Sequence, residues 1–417
     1  MQEVLRGRIR GRIFPSLTER IPAVGARTRL GFDAMKVGIV VPYSWSYWGG
    51  VLEHAQNQAV ALRELGVETR TIVGSDPPGW LTRILHPRSG RHDPPPDGVI
   101  SVGRSVIVPA NDSLPNIILS PGVYPRMKRL LERERFDLVH VHEPMTPAIA
   151  VIALALARCT TVATFHASGN LGWMKIGMPV WGGLLDRLDA RIAVSEQARA
   201  SIARWAPAHY EIVPNGILIP EHADAGGREN KIIFIGRHDP RKGLLTLLKA
   251  WPEIHRRTGA TLRVIGADPL SVRLLLTRHG LHEAGLDVPG FLSEEALSAE
   301  LASAKLLVAP SLGGESFGMV LTRAFASATP VVASDIPGYR DVFDERAGVA
   351  VPPGDDEALK NTVIGLLEDE PRRRRMGEAG REIVRERYDW RDIAKRLLSI
   401  YERAIVGRFD ADAAAAE

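Results

Sequence analysis

The chain has 417 residues, 45% of them hydrophobic and 24% charged, with 53 Lys and Arg against 49 Asp and Glu. That length exceeds one simple core and predicts two domains with additional segments. Residues 1–34 hold seven Arg against Glu3, Glu19 and Asp33, which accounts for the whole formal charge of +4 and leaves a neutral remainder, arguing against a nucleic-acid protein.

Residues 1–34 alternate Arg and Gly without a sustained period and read as a basic arm or a start-site extension, expected to be disordered. They contain no apolar core of a signal peptide, so the expected location is the cytoplasm. Cys159 is the one cysteine, which excludes an internal disulfide and fits a reducing compartment. From Val37 strands and helices alternate, the pattern of a parallel sheet covered on both faces. Strands are predicted at Val37–Val41, Glu68–Val73, Leu138–His142, Thr161–His166, Arg191–Ser195 and Glu211–Val213, with a helix over Val51–Leu65. Gly74–Gly98, rich in Pro and Gly, reads as a surface loop. The apolar run Pro144–Ala157 is too short to span a bilayer and reads as a buried helix. Pro125–Arg135 is basic and amphipathic, suited equally to a solvated face and to an anionic lipid surface.

A turn-rich connection, Pro214–Gly227, separates a second alternating series. Its predicted strands are Ile232–Gly236, Leu262–Gly266, Leu306–Pro310, Pro330–Ser334 and Gly348–Val351. The chain then reads as helical, with a last helix over Trp390–Ile405 and a frayed tail. The domains expected are 35–217 and 218–387, each Rossmann-like, followed by a helix over 388–406 and a tail over 407–417.

Four clusters stand at predicted strand ends, where open α/β sheets bind ligands. Gly49-Gly50 opens the first helix and does not match the dinucleotide fingerprint. His166 ends a strand. Gly236-Arg-His-Asp-Pro-Arg-Lys-Gly243 lets Arg237 and Lys242 converge on one anion, the first as a planar fork and the second as a point charge. Ser311-Leu-Gly-Gly-Glu-Ser-Phe-Gly318 is a glycine turn into a helix whose first amides lack intrahelical partners.

Together Gly49-Gly50, Phe165-His166, Pro214-Asn-Gly216, Gly236-Arg237 with Lys242-Gly243, and Gly314-Glu-Ser-Phe-Gly318 resemble the family 4 retaining glycosyltransferases of the GT-B fold. The resemblance spans Lys36–Ile405. Pro42-Tyr-Ser, Val141-His-Glu-Pro144 and Leu312-Gly-Gly-Glu-Ser-Phe-Gly318 look most like the actinobacterial phosphatidylinositol mannosyltransferases. The resemblance implies an α/β fold of two Rossmann-like domains around a cleft, with a C-terminal helix crossing back to the first. It implies that Arg237 and Lys242 neutralise the leaving diphosphate, that Gly49 and Gly50 let backbone approach it, and that Glu315 holds donor-sugar hydroxyls. His166 would meet the sugar from the opposite domain. The amides of Phe317, Gly318, Met319 and Val320 would complete the anion site, and the backbone at Phe291 would receive the base.

The resemblance further implies a nucleotide-sugar donor, with GDP-mannose favoured, and a lipid acceptor such as phosphatidylinositol at the inner membrane face, reached by peripheral contact. No permanent cofactor or metal ligand set is expected, and a Mg2+ requirement is not legible in the sequence. The chain departs from the family at Arg323, where a ribose-binding Glu is usual; an Arg donates to a hydroxyl but cannot accept from one. Ser46, Trp48, Met145 and Leu171 make the acceptor region less polar than in the phosphatidylinositol enzymes. Three alternatives stay open: a UDP-sugar transferase with another acceptor, a non-catalytic nucleotide-sugar binder, and an epimerase of the same fold.

Overall fold

Two parallel sheets form, one in each half of the chain, because the apolar strands Val37–Val41 and Ile232–Phe234 must be covered on both faces. The computed structural model describes residues 35–47, 49–85, 95–107, 116–166, 181–220, 227–237 and 239–414. The first lobe contains β1 (Lys36–Ser44), β2 (Glu68–Gly74), β3 (Val99–Ser101), β4 (Ser105–Ile107), β5 (Asn116–Ile118), β6 (Leu138–His142), β7 (Thr160–Phe165), β8 (Ala190–Ala193) and β9 (Glu211–Ile212). Their order is β3-β2-β1-β6-β7-β8-β9, with β5 joining β1 and β4 antiparallel. The second lobe contains β10 (Glu229–Ile235), β11 (Thr261–Ile265), β12 (Leu286–Gly290), β13 (Ala304–Ala309), β14 (Val331–Ser334) and β15 (Gly348–Val351). These run all parallel in the order β12-β11-β10-β13-β14-β15. The expected two-lobed α/β architecture is therefore present.

Four helices bear on the junction between the lobes: α1 (Gly50–Glu64), α2 (Glu294–Ser303), α3 (Met319–Ala326) and α4 (Trp390–Ala414). Helix α4 belongs to the first lobe by contact, since Tyr401 is buried against Gln58 and His140, and Arg403 pairs with Glu211. Gly216 is required where α4 begins. A Cβ there would stand 2.4 Å from the Trp390 indole, an overlap that costs ~1–3 kcal/mol when forced.

The structure corrects several expectations. Gly74–Gly98 is not all loop: after Pro77-Pro78-Gly79 the chain turns into a short helix, Trp80–Leu85, with Arg83 N donating to Gly79 O at 3.1 Å. Glu143 and Ala148 adopt positive φ of 49° and 65°, so the helix expected over Pro144–Ala157 covers only Ile149–Leu156. The last helix continues past Ile405 to Ala414, held by Arg408 against Asp189 at 3.3 Å, so the expected 388–406 helix and 407–417 tail divide elsewhere. The proposed arm over 1–34 lies outside the described residues. Among the described residues no helix is long and apolar enough to cross a membrane.

Candidate active site

Strand order reverses between β1 and β6 in the first sheet and between β10 and β13 in the second. Crevices open at such reversals beyond the carboxyl ends of the strands. Three sequence clusters follow the strands at these reversals, Gly49-Gly50 after β1, Lys242 after β10 and Glu315 after β13, and His166 follows β7, the neighbour of β6.

In the second lobe the two loops are locked together by backbone. Leu312 N donates to Arg241 O at 2.7 Å. Gly243 takes φ +68°, and a Cβ there would lie 1.8 Å from Pro310 O, so glycine alone permits the approach. This closeness brings Lys242 Nζ to 2.6 Å from Glu315 Oε1. Ser311 Oγ donates to the same oxygen at 3.0 Å and bonds Tyr339 OH at 2.8 Å. Burial first, then the Glu315 charge, drives the Tyr339 hydroxyl well above its ordinary pKa, so it remains a neutral donor. Glu315 is thus oriented through Oε1 by an ammonium and a hydroxyl. Gly318, at φ +87°, caps α3, whose first amides at Met319 and Val320 lie next in the chain. The Phe317 side chain is buried against Tyr388 and leaves only its backbone for a ligand. Arg237 and Phe291 are exposed. Gly49 and Gly50 are exposed too, and a Cβ on either would meet nothing within 4 Å.

Arg323 turns away from solvent. Its Nη2 lies 2.5 Å from both carboxylate oxygens of Glu53 on α1 and 3.1 Å from Glu294 at the start of α2. Burial works to lower the Arg323 pKa, yet Glu53 and Glu294 outweigh it and hold the guanidinium above its ordinary value. Burial, opposed by Arg323 and assisted by Glu53, raises the Glu294 carboxyl. The residue expected at the ribose is therefore engaged in a bridge between the lobes. Glu53 and Glu294 went unnoticed in the sequence; a charged residue on the buried side of α1 was the available signal.

The first lobe contributes a cluster of imidazoles. His140 and His142 alternate along β6, and Thr164 and His166 along β7, so each pair shares a sheet face. His54 and Gln58, one helical turn apart on α1, cover that face together with Trp390 and Tyr401 of α4. His142 Nδ1 lies 2.9 Å from His166 Nε2, and Glu143 Oε1 accepts from His166 N at 2.7 Å. One ring nitrogen each from His54, His142 and His166 lie within 4.8 Å of one another, close enough to hold a metal ion, a geometry the sequence did not suggest.

Burial holds the His54 and His140 imidazoles down to about 3, and holds those of His142 and His166 well below the ordinary value, with neighbouring rings adding to the effect in the last three. The unfolded chain protonates all four near pH 6.5. Their contribution to stability is fully present above that pH and is lost as pH falls from 6.5 towards about 3, at up to ~1.4 kcal/mol per pH unit for each ring. Thermal unfolding followed from about pH 7.5 to about pH 5 should show Tm falling with acid. His140→Asn should flatten that slope; a Tm indifferent to pH in both proteins would contradict the assignment.

Ser46 and Met145 of the acceptor region are buried, whereas Trp48 and Leu171 lie outside the described residues.

Residues 219–383 match the profile described as "Glycosyl transferases group 1", and residues 48–218 match "Glycosyltransferase Family 4". The phosphatidyl-myo-inositol mannosyltransferase of Mycobacterium leprae (strain TN) is 33% identical over 380 residues, covering 88% of this chain and 96% of that protein. The protein of the same name from Propionibacterium freudenreichii is 31% identical, with 88% and 94% covered. Among solved structures, Anabaena HepE in complex with UDP superposes with a TM-score of 0.64 at 19% identity, covering 88% of this chain and 99% of that one. Sucrose-phosphate synthase from Thermosynechococcus elongatus gives 0.66 at 20%, with 89% and 100% covered. At these identities the two structures speak for the fold alone.

Proposed function

Since the chain belongs to the family 4 glycosyltransferases, we propose that it moves mannose from GDP-mannose, with retention, to a phosphatidylinositol-type lipid. In this reading residues 35–217 form the acceptor lobe and 218–387 the donor lobe, and the enzyme works as a peripheral protein at the inner membrane face. The observation that carries the chemistry is the Lys242–Glu315 pair at the strand reversal, beside the start of α3. The choice of mannose and of an inositol lipid is supported by relatives named phosphatidyl-myo-inositol mannosyltransferase at 31–34% identity, and the choice of guanosine rests on the family resemblance.

The chemistry follows from charge. Glycosyl transfer passes through an oxocarbenium-like state while the leaving diphosphate gains negative charge. Lys242, Arg237 and the amides from Phe317 to Val320 meet that charge, each fixed donor worth on the order of ~3 kcal/mol. Glu315, oriented through Oε1, accepts from hydroxyls of the sugar, and His166 approaches from the other lobe. With retention, as the family resemblance implies, the acceptor hydroxyl attacks on the face from which the diphosphate departs, and its proton passes to the leaving diphosphate oxygen. Phe291 and its backbone receive the base.

The test is thermal shift and nucleotide release with GDP-mannose, GDP, UDP-glucose and UDP-N-acetylglucosamine, each with and without phosphatidylinositol vesicles. Selective stabilisation by the guanosine ligands and lipid-dependent release of GDP are expected. A preference for uridine ligands would reject the donor. Binding without turnover under any lipid would reject catalysis.

A further inference from the structure

Strands β6 and β7 run parallel with His142 opposite Thr164, which places His142 and His166 at neighbouring strand ends. The 2.9 Å contact between His142 Nδ1 and His166 Nε2 holds one proton, belonging to one ring or the other. The remaining nitrogen of His142, Nε2, is buried and has no hydrogen-bond partner among the described residues. If Nε2 carried the His142 proton, a donor would be buried unsatisfied. If Nδ1 carries it, only a lone pair is left bare. Buried orphan N–H groups are the rarer and the more costly case. The proton therefore sits on His142 Nδ1 and is donated to His166 Nε2. A neutral His166 that accepts at Nε2 must hold its own proton on Nδ1.

The arrangement is braced from behind. His140 stacks on His142 with ring centres 4.6 Å apart and planes 12° from parallel. Both nitrogens of His140 are tied, one to Tyr401 OH at 2.5 Å and the other to Thr164 Oγ1 at 2.7 Å. His142 is thereby held in plane, and His166 retains 7% exposure. We propose that His142 is a positioning residue that fixes His166 as its Nδ1–H tautomer, so that His166 offers a ligand a hydrogen-bond donor and not a base. The proposal deepens the transferase reading and rests on His166 meeting the donor sugar.

Three variants of the full chain separate this role from mere packing. His142→Asn keeps an amide group at the place of Nδ1, His142→Gln moves it to the place of Nε2, and His142→Leu has none. With GDP-mannose and phosphatidylinositol vesicles, the Leu and Gln variants should lose ~10–100-fold in kcat, the usual cost of losing an orienting partner. Their KM for GDP-mannose should stay close to wild type. The Asn variant should recover most of the loss; equal losses in all three would overturn the positioning role. Nitrogen NMR of histidine-labelled protein reads the tautomer directly. His166 should show a protonated Nδ1 and a bare Nε2 in wild type and in the Asn variant, and a mixture in the Leu variant. A proton on His166 Nε2 in wild type would overturn the proposal whatever the kinetics. So would one zinc ion per chain carried through purification on His54, His142 and His166. If the transferase reading fails, no protein will release GDP, and the spectra alone decide whether His142 sets the tautomer.

Discussion

Replacing Lys242 by Ala is expected to lower kcat by ~10²–10³-fold, the measured scale for removing one preorganised donor from a developing oxyanion, while Tm stays near wild type. Two effects combine. The leaving diphosphate loses a cation, and Glu315, now without the ammonium 2.6 Å away, presents an unneutralised charge to an anionic group. The cost to the fold is small because the pair is partly solvated, with side chains 28% and 13% exposed, and such pairs contribute about 1 kcal/mol or less. Lys242→Arg should restore only part of the rate, since a planar fork does not replace a compact point charge. Single-turnover release of nucleotide together with thermal unfolding tests this. An unchanged kcat would remove Lys242 from the reaction.

Arg323→Glu pits two expectations against each other. The resemblance to family 4 enzymes gives this position a ribose-binding carboxylate, so restoring one should tighten the donor. The structure says the reverse. A glutamate here would face Glu53 and Glu294 where Arg323 now stands between them, its side chain 15% exposed and that of Glu53 10%. Leaving a buried charge unpaired costs ~3–5 kcal/mol, so a clear drop in Tm and weaker donor binding are expected. Glu53→Arg combined with Arg323→Glu restores opposite charges across the junction and should regain much of the stability. Calorimetric unfolding and donor titration of the single and double variants decide the matter. Tighter donor binding by Arg323→Glu, at unchanged Tm, would return the position to the ribose.

The long parallel strands were legible because burial on both faces leaves an uninterrupted apolar run, as in Ile232-Ile-Phe-Ile235. Strand β12 was hidden because it is an edge strand that includes Asp287 and Pro289, residues a central strand excludes. Strands β3, β4 and β5 have three residues each, too few to show a period. Lys242 and Glu315 were readable as separate turns, and Pro310 gave no sign that its carbonyl would need Gly243 beneath it. A charge on the buried side of α1 could be read from the sequence, but not the pairing of Glu53 with Arg323, which lies 270 residues away on another lobe. His140 and His142 were within reach: polar rings at alternate positions of an otherwise apolar strand, Leu138–His142, mark a buried polar face.

The chain passes from the first lobe to the second near Ile217 and returns near Asp389. These two passages pair in parallel, with Ile217 N donating to Tyr388 O at 2.8 Å. A body on one tether can swivel about three axes. A body on two tethers clamped side by side bends about the line between them and resists torsion, as a piano hinge does. On the proposed transferase reading, closure of the lobes around a donor is therefore expected to run along one angular coordinate about these two passages.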